Sequence, residues 1–444
     1  MKRIIQYSLR RLYIILSGDD GLGRACKDIP ENGCHEMPYN FSLNIANGAA
    51  SKLAEQIAGP NIILIWLLQL LGSPVWILGF LMPVKQAGSL LPQMIAAGQI
   101  RRLSVRKWVW VTASIGQGLC LMMMIPAALY LSPISAGIVV LLLFTLFSIA
   151  SGTASVAFQD VLGKTIAKGH RGKLLASRAL VGGILTISAG TWLSRVKNNC
   201  QDELTTVLTL IVAGAFLWIL AAFFFAATRE QPGETQGGRN AWHEAQAGIE
   251  TFKRYSGFRW FLVTRTLLLS VELATPFYFI HARNQLHLES SLVGYLVITI
   301  GVAQVLSSPF WGRLADETSK SVMRHSALLS VAAALLAVTL TMLPAASWHL
   351  AGYLLVFLLL GLAEAGVRLG RKTYLVDALP AAERASGAAF TNSCVGVLAL
   401  FSGISGFIAH TYGTTAVIIC FAIGALISTI TCHFMPEADR MLDN

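Results

Sequence analysis

From Phe41 to Phe434 the chain is a succession of long apolar stretches separated by short polar breaks. A helix needs about 20 apolar residues to cross the hydrocarbon core of a bilayer. Backbone N–H and C=O groups find no water there, so a lipid-embedded segment is either a helix or part of a closed barrel. Runs of this length suit helices, whereas barrel strands are about 10 residues long and alternate in polarity. Cutting at Gly, Pro and charge signals gives twelve spans. The first six are 41–71 (interrupted at Gly59-Pro60), 74–98, 108–131, 135–162, 174–195 and 204–227. After a polar stretch come 259–281, 291–311, 325–346, 348–371, 386–410 and 412–434. The fold class expected is an all-α integral membrane protein of twelve transmembrane helices in two six-helix halves. Its parts are a segment 1–40, a first half 41–227, a connector 228–258, a second half 259–434 and a tail 435–444.

Composition closes off the alternatives. Of 444 residues 55% are hydrophobic and only 13% charged, against about 25% charged in soluble domains. That excludes a soluble enzyme, a nucleic-acid-binding protein and a disordered scaffold. The net charge of +11 then reflects basic loops on one face of a membrane. Of the Lys and Arg residues, Lys52, Lys85 and Arg265 lie within spans, Arg195, Lys197 and Arg283 fall on one side, and all the others fall on the opposite side. The positive-inside rule places that richer set, and both termini, in the cytoplasm. A bacterial inner membrane is the expected location. Seven cysteines in no recognisable spacing give neither a disulfide framework nor a zinc site. No cofactor or metal is expected.

The first forty residues lack the apolar core of a signal peptide, because Arg10-Arg11 interrupts it. Ile5, Leu9, Leu12 and Leu16 recur at helical spacing opposite basic residues. They read as an amphipathic helix on the inner membrane face, with a partner-binding tail as the other reading.

An internal repeat supports two related halves. After span 2 the chain reads Gly98-Gln99-Ile100-Arg101-Arg102, and after span 8 Gly312-Arg313-Leu314-Ala315-Asp316, with the glycines 214 residues apart. Arg171, Gly183 and Gly190 match Arg384, Gly396 and Gly403 at an offset of 213. The second loop, with Leu292-Val293-Gly294 and Ser307-Ser308-Pro309 ahead of it, resembles the major facilitator superfamily over residues 41–434. The resemblance implies two parallel six-helix halves with a solute site between them near mid-membrane. It also implies a gating loop at Gly98, Arg102, Gly312, Arg313 and Asp316. Arg102 departs from the family, which has Asp there.

Intramembrane polar residues mark the path, because a charge in lipid needs a partner, water or a function. Span 1 carries Asn44, Asn47, Ser51 and Glu55 on one stripe with Lys52 beside it. Span 2 carries Lys85, too deep to reach a surface and so in need of a carboxylate or a substrate. Span 4 carries Ser155 and Gln159 and ends at Asp160, whose expected partners are Arg171 or Lys164. Span 7 carries Arg265 and Glu272, and span 10 carries Glu364 and Arg368. Spans 3, 6, 9 and 12 carry no charge. Polarity on spans 1, 4, 7 and 10 fits the cavity-lining helices that the resemblance implies.

The expected function is secondary transport of a small solute, with protons as the coupling ion. Lys52, Lys85 and Arg265 favour an organic anion. Glu272 ranks first as proton carrier, since no base lies within a turn of it, followed by Glu55 and Glu364. Static ion pairs are the bland alternative at Lys52–Glu55 and Glu364–Arg368. Uptake is preferred, with drug or siderophore efflux as the other transport reading. A sensor or assembly factor that transports nothing is the reading from another class. The partners expected are the lipid bilayer, a small-molecule substrate and protons, without nucleic acid, for a monomer.

Overall fold

The computed structural model describes residues 31–100, 102–167, 170–195, 203–233, 235, 241–286, 290–344, 348–379 and 383–440. The amphipathic helix expected near the N-terminus lies outside them. Every regular element among the described residues is helical. Ten helices are long and apolar enough to cross a membrane, and they are spans 3 to 12. The first two crossings are broken ones. Span 1 comprises Glu31–Ile57 and Ile63–Leu70, parted at Gly59-Pro60. Span 2 comprises Val75–Leu90 and Pro92–Ile100, parted where Pro92 supplies no N–H to the ladder. Twelve crossings result.

Several helices outrun their apolar stretches. Span 1 starts at Glu31 rather than 41, and span 8 continues to Glu317. Span 10 runs Trp348–Ala378, which carries the helix past Arg371, the last residue of the span drawn from the sequence, and takes in Lys372. Hydropathy marks where lipid ends, and a helix is free to continue beyond it.

Pairing between spans repeats when six is added to each number. Spans 3 and 4, 3 and 6, 1 and 6, and 2 and 4 pack together, and so do 9 and 10, 9 and 12, 7 and 12, and 8 and 10. The halves meet along two seams, span 5 against span 8 and span 2 against span 11. Small residues permit this close approach. A Cβ on Gly190 would sit 2.7 Å from the Ile298 backbone nitrogen and 2.8 Å from the Gly294 carbonyl oxygen. On the other seam, a Cβ on Gly406 would lie 2.7 Å from the Trp76 carbonyl oxygen. Gly190→Val would force backbone apart from backbone. We expect it to lower stability by about 2–3 kcal/mol, read as an earlier thermal transition of purified protein.

The side of the membrane that carries the connector is called here the connector side, and the other the far side. On the far side one continuous hydrophobic core joins both halves. It runs from Ile57, Trp66 and Leu68 of span 1 to Tyr278 and Phe279 of span 7, Leu296 of span 8 and Tyr353 of span 10. On the connector side the core splits. Phe258, Val367 and Tyr374 belong to a cluster of the second half alone. Trp110, Val161 and Phe225, like Phe41 and Leu174, belong to clusters of the first half alone. The halves share one large core on the far side, whereas on the connector side each has clusters of its own and they meet along the span 2–span 11 seam, where Met82 and Leu90 pack with Leu269 and Val395 and Asn392 donates to Gln93 at 3.1 Å.

A polar clasp completes the far-side seal. Arg283, in the last turn of span 7, donates to Glu203 at 3.0 Å and to the Gln69 side chain at 3.4 Å, while the Trp66 indole donates to Glu203 at 3.3 Å. Arg283 comes from one half, and Glu203, Gln69 and Trp66 come from the other.

Candidate functional site

Span 7 is more enclosed than spans 3–6 and 8–12, with 83% of its apolar window buried against at most 44% in those. It is also the most broken, into Ser256–Leu267, Leu269–Glu272 and Thr275–Leu286. At the break the Val271 N–H bonds to the Leu268 carbonyl three residues back, a tighter turn than the α-helix makes. This irregular stretch presents Glu272 and Thr275 to the space between the halves.

Three carboxylates there gather the nearby cations. Glu55 of span 1 accepts from Lys52 at 3.0 Å on one oxygen and meets Lys85 of span 2 at 3.1 Å on the other. Glu272 accepts from Arg265 at 3.0 Å and from the Gln86 amide at 3.3 Å, and faces Arg371 of span 10 at 3.7 Å. Glu364 of span 10 lies 3.9 Å from Arg368 and accepts a short hydrogen bond from the Thr275 hydroxyl of span 7. The groups sense one another across the pairs. The charge of Glu55 interacts with that of Arg368, and Glu364 with Lys85 and Glu272. This is one cluster built from spans 1, 2, 7 and 10, with both halves contributing.

Several expectations are met by contact. Lys85 has its carboxylate, Glu55. Arg265 and Glu272 do share a face, but the premise that Glu272 lacks a local base is overturned. Seven residues of helix separate the two by about 10 Å of rise. The extended Arg265 guanidinium covers that gap, because a buried charge left unpaired costs far more than an ordered rotamer. The Arg265 side chain is 1% exposed and that of Glu272 6%.

Other candidates lie elsewhere. Asn47 is fully buried and donates to the Ala221 carbonyl of span 6 at 2.9 Å, holding spans 1 and 6 together. Asn44 bonds to the Asn40 carbonyl and receives Arg178 of span 5 on its own oxygens at 3.1 and 3.3 Å. Gly48 leaves the room for that arginine side chain. Ser51 turns back onto the Gly48 carbonyl at 3.2 Å. Ser155 is half-buried and Gln159 exposed, and among the described residues neither is hydrogen-bonded into the charged cluster. Span 10 adds two residues that sequence reasoning passed over, Arg371 and Lys372. With Glu364 and Arg368 they stand at i, i+4, i+7 and i+8, one helical face.

The loop residues divide likewise. Gly98 and Gly312 are half-buried, and Arg102 is exposed in a turn with its N–H on the Gln99 carbonyl. The backbone of Arg313 and Asp316 is helical, but their side chains lie outside the described residues. Span 9 is capped by Thr318, whose hydroxyl accepts from the Ser321 N–H at 2.9 Å, an N-cap of the usual kind. In the first half the acceptor is Glu230, which follows span 6. Its carboxylate is fully buried and takes the N–H groups of Arg106 and Lys107 at the start of span 3, together with Lys164 at 2.9 Å. Asp160 pairs closely with Arg106 and lies 3.8 Å from Lys164, while Arg171 donates to backbone carbonyls. Glu230→Ala would take from Lys164 its nearer carboxylate, leaving Asp160 at 3.8 Å, and would leave two N–H groups at a helix start without their acceptor. A loss of about 3 kcal/mol is expected in denaturant or thermal unfolding.

A twelve-span bundle in two pseudo-symmetric halves with a charged cluster between them has the architecture of the major facilitator fold. The family model described as Major Facilitator Superfamily matches residues 261–442. Solved structures extend the fold likeness over both halves. A mutant of the nucleoside transporter NupG has a TM-score of 0.69 at 16% identity, over 88% of this chain and 99% of that one. The xylose transporter XylE from E. coli, in an inward open conformation, has 0.65 at 14%, over 91% and 99%. A D-xylose–proton symporter has 0.63 at 13%, over 90% and 98%. No curated protein matches the sequence. The family's sequence signature thus lies in the second half, and the likeness of fold to these solved transporters runs through both halves.

Proposed function

We propose that this protein is a secondary active transporter, not an enzyme, and that it carries a small organic anion across the membrane by alternating access with protons as the coupling ion. The observation that carries the reading is the charged cluster between the halves, closed off on the far side and open on the connector side. Lys52 and Arg368 keep 41% and 48% of their side chains exposed there, as a site facing solvent requires. Opening the Arg283–Glu203 clasp while the connector side closes would present the same cluster to the far side. The two glycine seams are the surfaces about which the halves rock. The basic loops make the connector side cytoplasmic, so this conformation faces inward, in a bacterial inner membrane. Uptake is the direction we assign.

The solved relatives support the reading by what they carry, nucleosides for NupG and D-xylose with protons for the symporter. The anion comes from this chain's own residues, since Lys52, Lys85, Arg265, Arg368 and Arg371 converge where a neutral sugar would need none of them.

The test is reconstitution. Proteoliposomes with an imposed pH gradient and the membrane potential clamped to zero are offered labelled mono- and dicarboxylates, phosphate esters, sugars and nucleosides. Accumulation of an anion that collapses with a protonophore is expected. Accumulation of neutral or cationic solutes only, or accumulation indifferent to the protonophore, would overturn it.

A further inference from the structure

The carboxylates of the central cluster are outnumbered two to one. Lys52 and Lys85 share Glu55, Arg265 and Arg371 share Glu272, and Arg368 has Glu364 to itself. Lys372, one turn beyond Arg368 on the same face, has no carboxylate within ion-pair distance among the described residues. Its nearest charges include Arg368 and Lys52, which repel it, and Glu272, which attracts it. Six cations therefore stand against three anions.

Hydrogen bonding tells the same story independently. Arg265 Nη2 and Arg371 Nε are buried with no acceptor. Buried N–H groups of a guanidinium are rarely left unpaired in a finished structure. Acceptors are what this site lacks, in charge and in count.

The imbalance falls across the line where the halves move. Lys52 and Lys85 belong to the first half, Arg368, Arg371 and Lys372 to the second. Closing the connector side drives these two groups of like charge together out of water, where their repulsion grows as the effective dielectric falls. An occupant with one negative charge leaves most of that repulsion in place, and one with two removes the larger part.

On the reading that this protein transports an anion, we propose that its substrate carries two or more negative charges, as a phosphate monoester or a dicarboxylate does, and seats between Lys52 of the first half and the Arg368–Lys372 turn of the second. The anion then does two things. It binds, and it cancels the repulsion that holds the connector side open, so occupied carriers close and empty ones stay open.

The experiment compares purified full-length protein in the presence of sulfate, succinate, glycerol 3-phosphate, acetate, chloride and glycerol at matched ionic strength, by thermal shift and by protection of the connector-side opening from a thiol reagent at a cysteine replacing Gln159, which is exposed near the connector end of span 4. Dianions are expected to raise the transition temperature and slow labelling at concentrations at least tenfold below those at which acetate or chloride act, with glycerol inert. Succinate acting without glycerol 3-phosphate assigns the site to dicarboxylates, and the reverse to phosphate esters. Lys372→Gln and Arg368→Gln should each weaken the dianion effect about tenfold and leave the acetate effect within about threefold, each variant being checked for an unchanged elution profile. Equal action of mono- and dianions, no action of any dianion, or full dianion protection in Lys372→Gln would each overturn the proposal. The proteoliposome assay separates the two readings. Transport of monoanions alone sinks the dianion and leaves anion transport standing, whereas transport of neutral solutes alone sinks both.

Discussion

Replacing Glu272 by glutamine should cost about 3–5 kcal/mol of stability and sharply reduce the yield of monodisperse protein. Arg265, 1% exposed and 3.0 Å from that carboxylate, would be left as a buried cation facing Arg371 across a neutral amide. Glutamine keeps the volume and can still meet the Gln86 amide, so the loss measures charge rather than packing. Two cations around one carboxylate make the single substitution worse than an ordinary broken pair, because like charges then meet with nothing between them. The double variant Arg265→Gln with Glu272→Gln removes one cation with the anion and should recover most of the loss. Thermal unfolding of the two variants beside the parent decides the matter. A single variant as stable as the parent would show that the ion pair contributes nothing to the fold.

Why the sequence pointed elsewhere for Glu272 is instructive. An intramembrane carboxylate with no base at i±3 or i±4 reads as free, and in a regular helix that spacing rule holds. What it omits is the length of arginine and the partners supplied by other spans, here Arg371 and Gln86. The same gap explains Lys85, whose depth demanded a carboxylate without saying which. By contrast the twelve crossings, the two halves and the charges within the apolar runs are legible, because bilayer thickness and the cost of charge in lipid act on the sequence directly. Asn47 illustrates the limit of a stripe argument. It lies on the polar stripe of span 1 but is turned toward span 6, where a buried amide and a free carbonyl satisfy one another. Arg371 and Lys372 were hidden by the opposite error, since the apolar run stops where the helix does not.

Glu364→Gln should abolish gradient-driven accumulation while leaving exchange intact. Glu55 lies between two lysines and Glu272 between two arginines, so taking up a proton at either would set two cations against each other. Glu364 has one cation, at 3.9 Å, and a hydroxyl donor from Thr275. A protonated carboxyl can reverse that hydrogen bond and donate to the threonine oxygen, so the contact between spans 7 and 10 survives protonation in a new sense. Arg368 loses its counter-ion in the same event and becomes available to an arriving anion. Proton and anion are thereby linked through one residue, since protonation at Glu364 strengthens anion binding at Arg368 and the reverse. With the membrane potential clamped to zero, each unit of imposed pH gradient supports about tenfold accumulation for one proton per cycle. The glutamine variant cannot exchange a proton and should fall to no accumulation at all. Counterflow moves substrate against substrate with no net proton, and it should continue at a rate close to that of the parent. Accumulation of about tenfold in Glu364→Gln would take the proton away from this carboxylate, and loss of counterflow as well would make Glu364 part of the anion site rather than its coupling switch.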